Sequence, residues 1–204
     1  MARALSIKEI SMMKIGVLAL QGAVREHCHA IRSCGAEPVE IKYVEEFEQV
    51  DGLIIPGGES TTVGKLLVRH EMIEPLQRMG AEGFPIFGTC TGLILLAKDI
   101  HGSDQPRLGL MDMTVERNAF GRQIASFEMD LSIPEIGEPD YHAVFIRAPY
   151  ISHVGPSVRV LAEYGGKILM ARENNLLAAA FHPELTEDLR IHRYFLDIVS
   201  KRSK

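Results

Sequence analysis

Cysteine is scarce in this 204-residue chain: Cys28, Cys34 and Cys90 form an odd set without a C-x-x-C pair, which excludes a disulfide framework and a structural zinc site and fits a reducing cytoplasm. Basic runs are missing as well. Lys and Arg number 22 against 27 Asp and Glu, a formal charge of -5, so no stripe exists to track nucleic-acid phosphates. No apolar run approaches the roughly 20 residues that cross a bilayer; the longest, 93–97 and 176–181, read as core segments. Residues 1–12 lack the apolar stretch of a secretory signal and are expected to form a disordered extension upstream of a start at Met13. With no repeats, low-complexity tracts or Pro/Gly-rich linkers, residues 13–204 are expected to form one domain.

What is present is an ordinary globular composition, 46% hydrophobic and 24% charged, enough to build a core. Residues 14–20 are a nearly continuous apolar run, the pattern of a strand buried on both faces. Gln21-Gly22 breaks it, and 23–33 reads as a helix closed by Gly35. Further strands are expected at 38–41, 53–55 and 85–87, with helices over 61–79, interrupted near Pro75, and 91–98. This alternation predicts a three-layer α/β sandwich, a mostly parallel central sheet between helices. Beyond Leu108 the runs 110–116, 123–133, 141–146, 158–164, 167–171 and 176–181 predict an antiparallel extension, and 186–200 a closing helix.

Three short strings carry chemistry. Gly88-Thr89-Cys90-Thr91-Gly92 lies between a predicted strand and a predicted helix. It is a G-x-nucleophile-x-G elbow with Cys in place of Ser, whose glycines allow a sharp turn that exposes the nucleophile; a buried Cys near a glycine turn is the plainer alternative. His182-Pro183-Glu184 follows a buried strand. Residues two apart there point the same way, so an imidazole base and an orienting carboxylate can be neighbours, unless Glu184 merely answers a helix dipole. Pro56-Gly57-Gly58-Glu59-Ser60 follows another strand, at the sheet edge where open α/β proteins bind ligands, and a glycine N–H there suits an oxyanion.

With Cys, His and Glu in this order and spacing, the chain resembles the class I glutamine amidotransferases, of flavodoxin-like fold, and within them the family of glutaminase subunits of pyridoxal 5'-phosphate synthase. The resemblance runs from Met13 to the C-terminal helix. It rests on the three strings above and on Leu18-Ala19-Leu20-Gln21-Gly22-Ala23-Val24-Arg25-Glu26-His27, Val115-Glu116-Arg117-Asn118, Phe120-Gly121-Arg122-Gln123, Phe145-Ile146-Arg147-Ala148-Pro149 and Phe181 through Asp188. Thr91 departs from the alanine expected in this family; because only its backbone N–H is expected to face the oxyanion, the departure is expected to affect packing alone.

The resemblance implies hydrolysis of L-glutamine with Cys90 as nucleophile, His182 as base and acid, and Glu184 as orienter. It implies Gly58 and Thr91 as oxyanion donors, and Gly58, Glu59, Ser60, Arg117, Ile146 and Arg147 as the residues that hold glutamine. Ammonia is then expected to pass to a separate (β/α)8-barrel synthase subunit. No metal or organic cofactor is needed for this half-reaction, and His27-Cys28-His29 cannot converge on one ion if helical. Gln21 and His27 stand out instead as contacts for the partner subunit, with ordinary surface or packing roles as the alternative, near a Gly57-Gly58 peptide free to turn either its carbonyl or its N–H to the oxyanion. The rival readings are a glutaminase subunit of another synthase, such as that of histidine biosynthesis, and a non-catalytic cysteine-elbow protein that senses redox state or binds ligands.

Overall fold

The computed structural model describes residues 10, 12–117 and 126–202. Most of the expected N-terminal extension, the Phe120–Gln123 string, Asn118 and the start of the strand expected at 123–133 lie outside them. In chain order the strands are β1 (Lys14–Leu18), β2 (Glu37–Ile41), β3 (Gly52–Ile55), β4 (Ile86–Thr89), β5 (Ala97–Ile100), β6 (Met111–Glu116), β7 (Ser126–Leu131), β8 (Tyr141–Ile146), β9 (Tyr150–Val154), β10 (Arg159–Tyr164), β11 (Lys167–Glu173) and β12 (Leu176–Ala179). The helices are α1 (Val24–Ser33), α2 (Ser60–Arg69), α3 (Ile73–Ala81), α4 (Thr91–Leu96) and α5 (Arg190–Lys201).

A ten-stranded sheet runs in the order β2-β1-β3-β4-β12-β11-β9-β6-β5, with β10 on β11. Its first part is parallel: β1 pairs with β2 and β3, and β4 with β3 and β12. Apart from the edge strand β2, these strands are short, largely apolar runs buried on both faces, as parallel strands covered by helices must be. Beyond β12 the pairings with β11, β9 and β6 are antiparallel, the expected extension. Strands β7 and β8 form a separate antiparallel ribbon, anchored where Phe145 meets Phe181 edge-on at 5.7 Å.

Four local expectations are corrected. The helical stretch 61–79 is two helices, and the break falls at Glu71, where φ is +56°. Pro75 sits in the first turn of α3, where its missing N–H has no carbonyl to serve. The helix expected over 91–98 ends at Leu96 and the chain enters β5 directly, parallel to β6; every residue from Thr91 to Ala97 is buried, so periodicity could not separate helix from strand. Tyr150–Val154 forms β9, which its polar Ser152 and His153 disguised. The closing helix starts at Arg190 after a 3-10 turn at Pro183–Leu185, since Pro183 commits the backbone to a tight turn directly after His182.

Candidate active site

Register brings the three strings together. Ile55 pairs with Gly88 across β3 and β4, and Thr89 pairs with Ala179 across β4 and β12. Residues just past each strand, namely 56–60, Cys90 and His182, therefore emerge side by side at one sheet edge. Cys90 sits at φ 49°, ψ -96°, a backbone conformation unfavourable for a side chain with a Cβ and held only by its surroundings. The flanking glycines explain how: a Cβ on Gly88 would lie 2.3 Å from the Gly92 carbonyl carbon, and one on Gly92 would lie 2.3 Å from Ile55 O. Only hydrogen fits at either position.

His182 Nδ1 lies 2.8 Å from Glu184 Oε1, and both residues are buried. Cys90 and His182 both border Gly57, within 3.4 Å of where its Cβ would be. His182 Nε2 is buried and makes no hydrogen bond, so it is the atom left for the sulfur or a bound substrate. Burial opposes a charged ring, yet the Cys90 sulfur and the Glu184 carboxylate outweigh it and lift the His182 pKa to about 10. The ring thus holds a proton through the neutral range, as a proton donor must.

A pocket of about 250 Å³ lies over this group. The residues expected to hold substrate, Gly58, Glu59, Ser60, Arg117, Ile146 and Arg147, all line its wall. The Ile146 carbonyl lies 4.0 Å from Cys90 Sγ, and Arg147 adopts φ +44°. The Glu59 carboxylate is engaged in capping α2, accepting from the N–H groups of Thr61 at 3.2 Å and Thr62 at 2.7 Å. Gln105 was not foreseen. Its buried Oε1 accepts from Arg117 at 2.9 Å and from the Ser60 and Thr61 hydroxyls at 3.2 and 3.3 Å, and a lone Gln in a loop carries no sequence signal for this.

Three expectations at this edge are overturned. His27 is fully buried and cannot touch a partner; it stands behind Glu184, with Nε2 3.3 Å from Oε2. Thr91 does more than pack. Its hydroxyl donates to Gly58 O at 2.6 Å and accepts from Gly58 N–H at 3.2 Å, while Ala23 N–H donates to Gly57 O at 3.1 Å. Both ends of the Gly57-Gly58 peptide, expected to turn freely, are therefore held. Gln21 Oε1 adds a bond from Glu59 N–H at 2.8 Å. Thr91→Val, which keeps the shape and deletes the hydroxyl, should lower stability by about 1–2 kcal/mol and speed hydrogen exchange at the Gly58 amide. Thr91→Ser should largely preserve both. Denaturant unfolding and amide exchange measure them, and an unchanged Gly58 exchange rate in Thr91→Val would refute the clasp.

Among the described residues, no group of three His, Cys, Asp or Glu side chains is placed to hold a metal ion, and no helix is long and apolar enough to cross a membrane.

The chain is similar to known proteins over most of its length. A pyridoxal 5'-phosphate synthase subunit PdxT from Pelotomaculum thermopropionicum is 63% identical over 185 residues, covering 91% of this chain and 94% of the relative. One of the same name from Moorella thermoacetica is 58% identical over 187 residues, 92% of this chain and 100% of the relative. A crystal structure of a glutamine amidotransferase superposes with a TM-score of 0.87 at 49% identity, covering 91% of this chain and 98% of that one. Thermotoga maritima PurLQS shares the fold alone, with a TM-score of 0.66 at 17% identity. The family model of the SNO glutamine amidotransferases matches residues 17–201, and the chain belongs to that family.

Proposed function

We propose that this chain hydrolyses the side-chain amide of L-glutamine to L-glutamate and ammonia, and supplies the ammonia to a (β/α)8-barrel subunit that makes pyridoxal 5'-phosphate. The observation that carries the reading is the strained elbow of Cys90 beside the hydrogen-bonded His182 and Glu184, under one pocket. A redox sensor needs an exposed thiol but no such acid–base pair. The names of the relatives favour pyridoxal 5'-phosphate synthase over the synthase of histidine biosynthesis. A free thiol at the centre suits reducing cytoplasm.

In this reading the Cys90 sulfur adds to the amide carbon of glutamine, and the carbonyl oxygen becomes an oxyanion. His182 gives its proton to the nitrogen, the C–N bond breaks, and ammonia leaves a γ-glutamyl thioester. Water, deprotonated by the now neutral His182, adds to the thioester; the C–S bond breaks to release glutamate, and the sulfur leaves as a thiolate beside the reprotonated His182. Glu184 keeps His182 Nδ1–H engaged so that Nε2 faces the reaction. Arg117 and Arg147 suit the substrate α-carboxylate, which guanidinium binds through two parallel bonds. Glu59, Ser60 and Ile146 complete the cradle.

The oxyanion donors would be the N–H groups of Thr91 and Gly58. The Thr91 N–H begins α4 and has no partner within the helix. That of Gly58 is already committed to the Thr91 hydroxyl, so one donor is missing until the loop shifts, a loss worth about 10² to 10³ in rate. The isolated chain should accordingly be a poor glutaminase, and a synthase subunit that reaches the exposed Gln21 should raise kcat by a comparable factor. Ammonia release from glutamine, measured with and without the synthase, tests this. Gln21→Ala should blunt the rise even where the complex forms. Equal release in both states would show the donor pair already formed in the free chain, and no glutamine-dependent ammonia in either would overturn the function.

A further inference from the structure

His27 and His192 are fully buried imidazoles that the reaction scheme leaves unused. His27 Nε2 lies 3.1 Å from Thr89 Oγ1 and 3.3 Å from Glu184 Oε2, and its Nδ1 lies 3.1 Å from His192 Nε2. The two rings are tilted, with centroids 5.3 Å apart. Glu184 is therefore flanked by imidazoles: Oε1 is bonded to His182, while Oε2 is buried without a regular hydrogen bond and has His27 Nε2 3.3 Å away.

Proton positions follow from this chain of atoms. A buried carboxylate only accepts, and a bare nitrogen lone pair 3.3 Å from it would repel it. The His27 proton therefore sits on Nε2, between Thr89 and Glu184. His27 Nδ1 is then an acceptor, which requires the proton of His192 to sit on Nε2. His192 Nδ1 is left bare, and that atom is buried with no partner. Burial lowers the pKa of His27 despite the nearby Glu184, and burial together with His27 lowers that of His192 to about 3, so both rings are neutral. Burial would likewise raise the pKa of Glu184, but His27 and then His182 more than offset it.

We propose that His27, held by His192 on α5, is a positioning residue for the triad: its fixed N–H dipole steadies the outer oxygen of Glu184 and keeps the inner one on His182. Thr89 extends the same network to the oxyanion loop, since its hydroxyl also accepts from Gly57 N–H at 3.1 Å. The inference rests on the glutaminase reading.

The test uses the full chain with its synthase subunit, glutamine as substrate and ammonia as readout. His27→Leu removes the donor, whereas His27→Gln places an amide N–H near the position of Nε2. His27→Leu should lower kcat about 10- to 100-fold, the effect of leaving a buried charged acceptor without the polar group that faces it, with KM nearly unchanged, and His27→Gln should recover most of the loss. In a Glu184→Gln background His27→Leu should add nothing, because residues acting through one another are not additive. Wild-type kcat in His27→Leu, equal losses in the Leu and Gln variants, or full additivity with Glu184→Gln would each overturn the proposal. Should His27→Leu fail to fold, His192→Phe decides: it keeps the ring and deletes the bond, and a normal kcat in it counts as refutation. An inactive wild type would instead overturn the functional reading itself.

Discussion

Cys90→Ser should reduce glutaminase turnover by more than about 1,000-fold, as loss of a nucleophile does in other covalent hydrolases, and leave the fold intact. A hydroxyl is a far weaker nucleophile than a thiolate at neutral pH, and the His182 imidazolium, which can donate a proton, is a poor base for a serine. The fold should tolerate the change because the elbow depends on the close approach of Gly88 and Gly92 to their neighbours, not on the sulfur. A glutamine-analogue alkylator should label Cys90 and spare Cys28 and Cys34. Burial raises the pKa of both of these thiols, and neither faces the pocket. Circular dichroism checks the fold, ammonia release the rate, and peptide mass mapping the label. A tenth of the wild-type rate in a clean Cys90→Ser preparation, or label on either other cysteine, would refute the assignment.

His182→Asn should cost about as much as loss of the nucleophile, and Glu184→Gln distinctly less, because an absent base never accepts a proton whereas a misoriented one does so some of the time. The two should also differ in their pH dependence. The Cys90 sulfur and the Glu184 carboxylate together hold the His182 pKa at about 10 against the effect of burial. Its folded value lies above the ordinary 6.5, so the stability this proton contributes is complete below about pH 6.5 and is lost as pH rises toward 10. Removing the Glu184 charge should lower the His182 pKa, shifting the alkaline limb of the rate profile of Glu184→Gln to lower pH. Rates of both variants within about twofold of wild type, or an unmoved alkaline limb, would argue against the triad.

Much of this was legible in the residues themselves. A strand followed by G-x-C-x-G, a strand followed by H-P-E and a strand followed by P-G-G are local statements about backbone shape, and hydrophobic runs between them imply a parallel sheet whose strand ends share an edge. Adjacent strands in register then had to gather Cys90, His182 and residue 58. The reading failed where an outcome depended on packing between distant segments. His27 stands just after the first strand, where a partner contact is expected, yet it lies one turn from buried Ile31 on the inward face of α1. His192 occupies the apolar stripe of α5 between Ile191 and Phe195, a polar residue in a buried face, but its partner lies 165 positions away and no local pattern names it. Thr91 was legible as a departure, though the atom that matters is its hydroxyl, which reaches Gly58 only because β3 and β4 lie side by side. Sequence by itself determined the architecture and pointed to Cys90 and His182 as candidate nucleophile and base, since the elbow, the tight turn and the sheet follow from the short-range conformational limits of glycine, proline and alternating apolar runs. Tertiary structure alone decided which hydrogen-bond donors surround them, because a buried polar atom takes its partner from whatever the folded chain places within about 3 Å.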